Sequence, residues 1–488
     1  MISSAQEAKN YIGGVWVKGE GSQQYTVSNP ADASVIGSYQ VSTVEDAKKA
    51  VSIARAAFAK WRKTPAPARG KVLQKAADIM DSRVDEIART LTMEEGKTLA
   101  ESTGEVKRAA DIFRFYAGQG TRINGKTYQS GVENTFLFST REPVGVVAVM
   151  TPWNFPLAIP SWKIAPALVA GNSVVFKPAS LTPFTATKLV QALAEAGVPQ
   201  GVLNLVIGPG STVGEELATN SEIDAISFTG SYDVGNGIQR ARANSKKMAR
   251  VQLEMGGKNP TIVLQDAKLD EAALLVSRSG FGLTGQACTA TSRVIVVDAV
   301  KEEFTRKLVD LAQKIKLGNG LSPDVQMGPA VSRGELDKDL NYVELGKQEG
   351  AKVLVGGNGD MSGGLASGNF IRPTVFDDVG SDMRIAKEEI FGPVISVMSA
   401  KNLDDAIAMA NDTEFGLTAG ICTSDLSSAL RFADSVQAGV VKVNRPTTGL
   451  EYQVPFGGVK KSSSDTFREQ GEEAIDFYTR IKTVYVGY

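Results

Sequence analysis

The chain has 488 residues, 42% of them hydrophobic and 22% charged, an ordinary globular composition that buries large cores without disulfide or metal staples. Its 53 basic and 54 acidic residues leave a net charge of −1, so it carries no electrostatic footprint for nucleic acid or an anionic membrane. It has no histidine and only two cysteines, Cys288 and Cys422, which exclude Ser-His-Asp and Cys-His hydrolysis, imidazole zinc sites and an all-cysteine zinc site.

The length predicts about three domains. Two cysteines fit a reducing, cytoplasmic setting. The start, "MISSAQEAKNYIGGVW", lacks the basic and apolar regions of a signal peptide. The longest apolar runs, such as Val144 to Met150, are far too short to span a membrane.

The first third reads as mostly helical. "TVEDAKKAVSIARAAFAKW" places Ala47, Val51, Ala54, Phe58 and Trp61 at helical spacing, and Thr43 with Asp46 resembles an N-terminal capping box. A second helix carries Leu73, Ala77, Met80, Val84, Ile87 and Leu91 on one stripe. A third, Glu105 to Gly118, carries Val106, Phe113 and Tyr116. The pattern then changes. "VGVVAVM", "SVVFKP", "VLNLVIG" and "DAISFTG" are short apolar runs, each followed by a turn and a helical segment. That alternation predicts an α/β fold with a doubly wound parallel sheet. Ligands of such sheets sit at the strand carboxyl ends, here "TPWNFP", "KPAS", "GPGSTVG" and "TGSYDVG". A second α/β unit begins near Leu253 and includes the strand "RVIVV" and the helix "VKEEFTRKLVDLAQKI". "VGGNGDMSGGLASGNF" reads as a loop and "DFYTRIKTVYVGY" as a late strand.

Three features carry chemistry. A G-x-G-x-x-G fingerprint is absent, but a helix starting near Ser231 would aim free N–H groups at a pyrophosphate. Glu254 in "LEMGGKNP" sits in an apolar, glycine-rich context, where burial raises a carboxyl toward a useful base. Cys288 in "FGLTGQACTATSR" reads equally as a nucleophile or as a small buried hydrophobe.

"PWNFP", "KIAPALVAGNSVVFKPA", "FTGS", "LEMGGKNP", "GQACTATSR", "EEIFGPV" and "PFGG" occur in the order and spacing of the aldehyde dehydrogenase superfamily, which the chain resembles over nearly its whole length. "GQACTATSR", "VNRPTTGLEYQVPFGG" and the tail resemble more narrowly the bacterial α-ketoglutarate semialdehyde (2,5-dioxovalerate) dehydrogenases. The resemblance implies a cofactor domain (1–124 and 145–253), a catalytic domain (254–456) and a small β oligomerisation element (125–144 and 471–488), assembling as a homodimer or homotetramer. It implies that Cys288 is the nucleophile. Asn154 is then the oxyanion-hole side chain, acting with the Cys288 amide, and Glu254 the base that hydrolyses a thioester. Hydride passes to a nicotinamide cofactor. Lys163 receives a supporting structural role.

By the same resemblance Lys177 reaches the adenosine ribose, Gly230 and Ser231 form the pyrophosphate turn, Glu389 and Phe391 hold the nicotinamide end, and Trp153 lies beside the site. Ser180 stands where NAD-preferring members often carry Glu. Without that carboxylate, and with the Lys177 cation beside it, NADP is expected to be accepted as well as, or in preference to, NAD. The substrate wall would include Phe155, Ala158, Trp162, Ala287, Thr289, Leu450 and Phe456. Arg114, Arg445 and Ser292 are candidates for a distal substrate carboxylate. No metal is expected. Two departures are Tyr232, where the family commonly has Thr, and a serine-rich stretch, 462–466, replacing "S-G-x-G-R-E" near the expected substrate entrance and subunit contacts. The preferred substrate is α-ketoglutarate semialdehyde. The alternatives are benzaldehyde- or vanillin-type, succinic semialdehyde, broad-range or CoA-acylating chemistry, and a non-catalytic protein of the same fold.

Overall fold

The computed structural model describes residues 6–360 and 362–488. Three sheets organise it. In the first, the strands run in the order Arg250–Glu254, Ala225–Thr229, Val146–Met150, Ser173–Lys177, Leu203–Leu205, Asn10–Ile12, Val15–Val17. The five strands from Arg250–Glu254 to Leu203–Leu205 are mutually parallel. Their residues alternate between two apolar cores. Val147, Val149, Val174 and Phe176 face one layer of helices, and Val146, Ala148, Met150 and Val175 face the other. With both faces covered, every strand position can be apolar, which is why the runs are continuous.

Register aligns the carboxyl ends. Lys177 pairs with Met150, Met150 with Phe228, and Thr229 with Glu254. Lys177 and Glu254 therefore emerge along one edge of the sheet, where such folds bind ligands.

The second sheet orders Lys352–Val355, Thr374–Asp377, Val394–Ala400, Thr291–Val297, Asn259–Val263, Thr418–Cys422 and Val440–Val443. It is parallel apart from the first edge strand. The third is antiparallel, with Thr479–Gly487 beside Thr135–Pro143 and the short Thr127–Tyr128 at its edge. After the second sheet the chain turns back, and residues 456–478 pack against the first unit.

Helix Val44–Trp61 has the expected capping box at Thr43 and Asp46. Three other expectations need correction. Short strands, not helices, fill residues 6–40. Gly13 and Gly14, at φ 65° and 90°, make the two-residue hairpin turn that the pair "GG" signals. The long second helix is two helices, Ala66–Ser82 and Val84–Glu95. Arg83 leaves helical geometry at φ −124°, ψ 22°, yet Leu73, Ala77, Met80, Ile87 and Leu91 all enter the same core. A one-residue break that keeps both stripes on one core is invisible to periodicity. The third helix starts earlier, at Leu99, because Thr98 and Glu101 form a second capping box.

Candidate active site

Four loops from distant parts of the chain meet between the two large sheets. Cys288 lies in the loop between helix Leu269–Phe281 and strand Thr291–Val297. Leu283, Thr284 and Gly285 are consecutive left-handed residues at φ 54°, 57° and 66°, and the two non-glycines cost roughly 1–3 kcal/mol each. A Cβ on Gly285 would collide with the Gly392 carbonyl. The contorted loop is pinned by Asn259, whose Nδ2 donates to the carbonyls of Cys288 (2.8 Å) and Ala290 (2.8 Å). Gln286 Oε1 accepts from the Val331 amide at 2.9 Å.

Asn154 follows strand Val146–Met150. Its Nδ2 donates to the Gln286 carbonyl at 2.9 Å, and its Oδ1 is buried without a partner. Lys97 fixes this loop. Its Nζ donates to the Asn154 carbonyl (2.6 Å) and Glu105 (2.8 Å), stands 3.8 Å from Glu95, and lies 4.5 Å from the Phe155 ring centroid. The other Glu105 oxygen accepts the amides of Leu157 (2.9 Å) and Ala158 (3.0 Å), where helix Ala158–Ala170 begins. A buried ion pair thus sets the position of Asn154 from both sides.

Glu254, 2% exposed, ends its strand. Oε1 accepts from Ser463 Oγ at 2.9 Å and Oε2 from the Gly458 amide at 3.2 Å. Burial pushes its carboxyl well up and the Glu469 charge adds to that, against Ser463, Lys163 and Gly458. Burial likewise pushes the Cys288 thiol up, with Glu389, Glu254 and Glu469 adding and its own amide opposing. Lys163 is fully buried and bonded to Ser227 Oγ (3.0 Å) and to Glu469, which also accepts from Trp162 Nε1 at 2.7 Å.

Glu389 accepts the Gly257 amide at 2.9 Å, and burial pushes it up to about 7. A Cβ on Gly256 would collide with its carboxylate. Phe391, left-handed at φ 63°, packs edge-on against Trp153 with ring centroids 5.5 Å apart. Trp153, Asn154, Glu254, Cys288, Glu389 and Phe391 therefore share one region.

A cavity of about 320 Å³ reaches Cys288 and is lined by Phe155, Ala158, Trp162, Thr289, Leu450 and Phe456. Ala287 is buried outside that lining. The structure corrects the carboxylate candidates. Arg114 is paired with Asp78, Asp81 and Asp111 on the surface. Arg445 is exposed, and neither it nor Ser292 lines the cavity. The cations on the wall are Arg108 and Arg278, which sequence reasoning missed. Neither has a carboxylate partner among the described residues. Arg108 donates to the Leu450 carbonyl and to Gln470 Oε1 (3.0 Å), with its guanidinium 5.9 Å from the Trp162 ring centroid. Glu101 and Glu105 on the same wall are engaged by backbone amides. A signal existed, because Glu101, Gly104, Glu105 and Arg108 recur at the spacing of one helical face.

A second cavity, of about 490 Å³, opens at the carboxyl ends of the first sheet between Met150, Lys177, Gly210, Gly214, Phe228 and Gly237. Burial lowers the Lys177 amine to about 8, and its one hydrogen bond is to the Pro178 carbonyl, 2.9 Å away. Ser180 is half-buried, with Oγ 3.5 Å from the Gly208 carbonyl. Gly230 donates its amide to the Glu254 carbonyl (3.1 Å), and Ser231 caps helix Tyr232–Ala243. A helix N-terminus beside a glycine-floored groove holding a buried cation fits a dinucleotide. Glu215 also lines the groove, an acid the sequence reading did not include. Tyr232 packs against the core beside the groove under Lys461, 5.0 Å from its ring centroid. The serine-rich stretch is not at the substrate entrance. Ser462, Ser463 and Ser464 lie along Leu253–Gly256, behind Glu254. The described residues contain no cluster of metal-ligating side chains, and no helix among them is long and apolar enough to cross a membrane.

A cavity at the carboxyl ends of a parallel sheet, together with a second one that ends on a cysteine, suits a nucleotide-dependent dehydrogenase, and residues 16–484 match the aldehyde dehydrogenase family. The chain belongs to that family and is an enzyme with aldehyde dehydrogenase activity. It is 49% identical to α-ketoglutarate semialdehyde dehydrogenase of Haloferax volcanii over 99% of both chains. To 2,5-dioxopentanoate dehydrogenase of Saccharolobus solfataricus it is 49% identical, over 97% of this chain and 98% of that one. To α-ketoglutaric semialdehyde dehydrogenase of Bacillus subtilis it is 48% identical, over 100% and 99%. The crystal structure of betaine aldehyde dehydrogenase from Staphylococcus aureus in complex with NAD+ superposes with a TM-score of 0.96 at 36% identity, covering 98% of this chain and 94% of that one.

Proposed function

We propose that the enzyme oxidises α-ketoglutarate semialdehyde to α-ketoglutarate with NADP or NAD. The observation that carries this reading is the pair Arg108 and Arg278, two guanidinium groups without carboxylate partners among the described residues, on the wall of the cavity that ends at Cys288. A neutral aldehyde has no use for them, whereas a distal carboxylate binds such groups strongly. The names of the three relatives above agree with it.

In this reading the Cys288 sulfur attacks the aldehyde carbon. Asn154 Nδ2 and the Cys288 amide stabilise the resulting oxyanion, each such donor being worth roughly 3–4 kcal/mol. A nicotinamide cofactor held beside Cys288 would supply the two-electron acceptor for the hydride lost as the thiohemiacetal becomes a thioester, and a positive charge that favours the thiolate. Glu254 then takes a proton from the water that hydrolyses the thioester. Lys177, Ser180, Gly230 and Ser231 hold the adenosine and pyrophosphate, and Glu389, Phe391 and Trp153 the nicotinamide end. Ser180 leaves room for a 2′-phosphate. Residues 1–124 and 145–253 form the cofactor domain and 254–456 the catalytic domain. The element 125–144 with 471–488, whose exposed Ile481 and Tyr485 are unused in the monomer, joins subunits into a dimer or tetramer.

Initial rates with α-ketoglutarate semialdehyde, succinic semialdehyde and benzaldehyde, each with NAD and NADP, test this. The highest kcat/KM is expected for α-ketoglutarate semialdehyde, and Cys288→Ser abolishes turnover. A preference for benzaldehyde refutes the substrate, and a strong preference for NAD refutes the cofactor assignment.

A further inference from the structure

The serine-rich stretch has no part in the chemistry just described, yet it is built into the site. Residues 462–464 run antiparallel to the end of the Glu254 strand. The Met255 amide donates to the Ser462 carbonyl (2.8 Å), the Ser464 amide to the Leu253 carbonyl (3.1 Å), and the Leu253 amide to Ser464 Oγ (3.1 Å). Ser462 Oγ donates to the Gly256 carbonyl at 2.7 Å and accepts from the Gly416 amide at 3.0 Å. Lys460 and Asp465, left-handed at φ 55° and 53°, turn the chain on either side. This scaffold presents one hydroxyl to Glu254. Ser463 Oγ is 2.9 Å from Oε1 and accepts the Asp465 amide at 3.1 Å, which leaves its own proton for the carboxylate. Both side chains are buried.

We propose that Ser463 is a positioning residue for Glu254. Its hydroxyl, with the Gly458 amide, holds the carboxylate in one orientation and in its ionised form, and so sets how far into acid the thioester is hydrolysed. A glycine, as in the pattern that this stretch replaces, offers no donor. The charged and titratable groups that face Glu254 are Glu469, Lys163 and Cys288, together with Arg468, whose guanidinium and Glu254 Oε1 both flank Gly457. Glu469 opposes ionisation of Glu254 and Lys163 assists it. A hydrogen bond donated to the charged form favours that form, so its removal keeps Glu254 protonated to higher pH.

The proposal rests on Glu254 as the base, and the experiment separates the two. Ser463→Ala, Ser463→Gly, Ser463→Thr and Glu254→Gln are compared in the full-length enzyme by NAD(P)H burst amplitude and by the steady hydrolysis rate across about pH 5–9. In the Ala and Gly variants the acidic limb of hydrolysis moves up by about one pH unit, roughly a tenfold loss on the acid side. The burst is retained, and Thr restores the limb. An unmoved limb in both Ala and Gly, or a Thr limb displaced as far as theirs, overturns the role of Ser463 alone, provided Glu254→Gln is slow. Undiminished hydrolysis in Glu254→Gln overturns the base assignment, and the Ser463 proposal with it.

Discussion

Replacing Lys97 by Met removes the cation from a buried cluster while keeping its length. Lys97 is 1% exposed and Glu95 is fully buried. Lys97 bonds to Glu105 at 2.8 Å and to the Asn154 carbonyl at 2.6 Å. Glu95 is already pushed up to about 7 by burial, so it takes a proton when Lys97 is lost and adds little to the cost. The uncompensated group is Glu105, tied in place by the amides of Leu157 and Ala158. Breaking one buried pair costs about 3–5 kcal/mol, and that is the loss expected for Lys97→Met in urea unfolding. Lys97→Met/Glu105→Gln should recover at least about 1–2 kcal/mol of the summed single losses. The Asn154 carbonyl also loses its donor, so kcat falls while the KM for cofactor stays. A Lys97→Met enzyme within about 1 kcal/mol of wild type, or a cycle without coupling, refutes the claim that this pair sets the Asn154 loop.

Arg278→Gln removes an exposed cation that makes no ion pair among the described residues, so it tests the carboxylate site cleanly. At about 4 Å near the surface, attraction of about 1–4 kcal/mol before screening predicts roughly a 5–30-fold loss in kcat/KM for α-ketoglutarate semialdehyde. Benzaldehyde should be unaffected, and the loss should shrink in high salt. Ser180→Glu places a carboxylate beside Lys177 and should lower the NADP-to-NAD ratio of kcat/KM by about tenfold or more. The Lys177 amine, lowered to about 8 by burial, is charged below that pH and neutral above it. In the free enzyme kcat/KM for NADP therefore falls as pH rises through about 8, more steeply than for NAD. Parallel profiles for the two cofactors would exclude Lys177 from the 2′-phosphate.

Much of this was legible in the sequence because its signals are local or periodic. Strands covered on both faces read as continuous apolar runs. The turn residues after Met150, Lys177 and Thr229 marked the ligand edge, and Ser231 marked a helix start. What escaped depends on separation along the chain. Arg108 on helix Leu99–Gln119 and Arg278 on helix Leu269–Phe281 meet only because both helices border one cavity, and each alone reads as a solvated charge. Arg114, on the same helix as Arg108, is just six positions further on but faces Asp78 and Asp81, so the choice between them needed the helix phase relative to the cavity. Ser463 stands 209 positions from Glu254, and its stretch, which resemblance places near the substrate entrance, instead runs back along the Leu253 strand.

That return path has a consequence for how the enzyme comes into being. A nascent chain that has emerged as far as Val440 already contains Asn154, Glu254 and Cys288. It still lacks Gly458 and Ser463 for Glu254, Glu469 for Lys163 and Trp162, and Gln470 for Arg108. These partners arrive after both large sheets have their strands, across sequence separations above 200 residues, contacts of the kind that form late in folding. A partly synthesised chain therefore holds the Cys288 and Glu254 side chains without the groups that bind and orient the Glu254 carboxylate. The hydrogen bonds around Glu254, Lys163 and Arg108 are completed in one late step, when residues 456–478 dock.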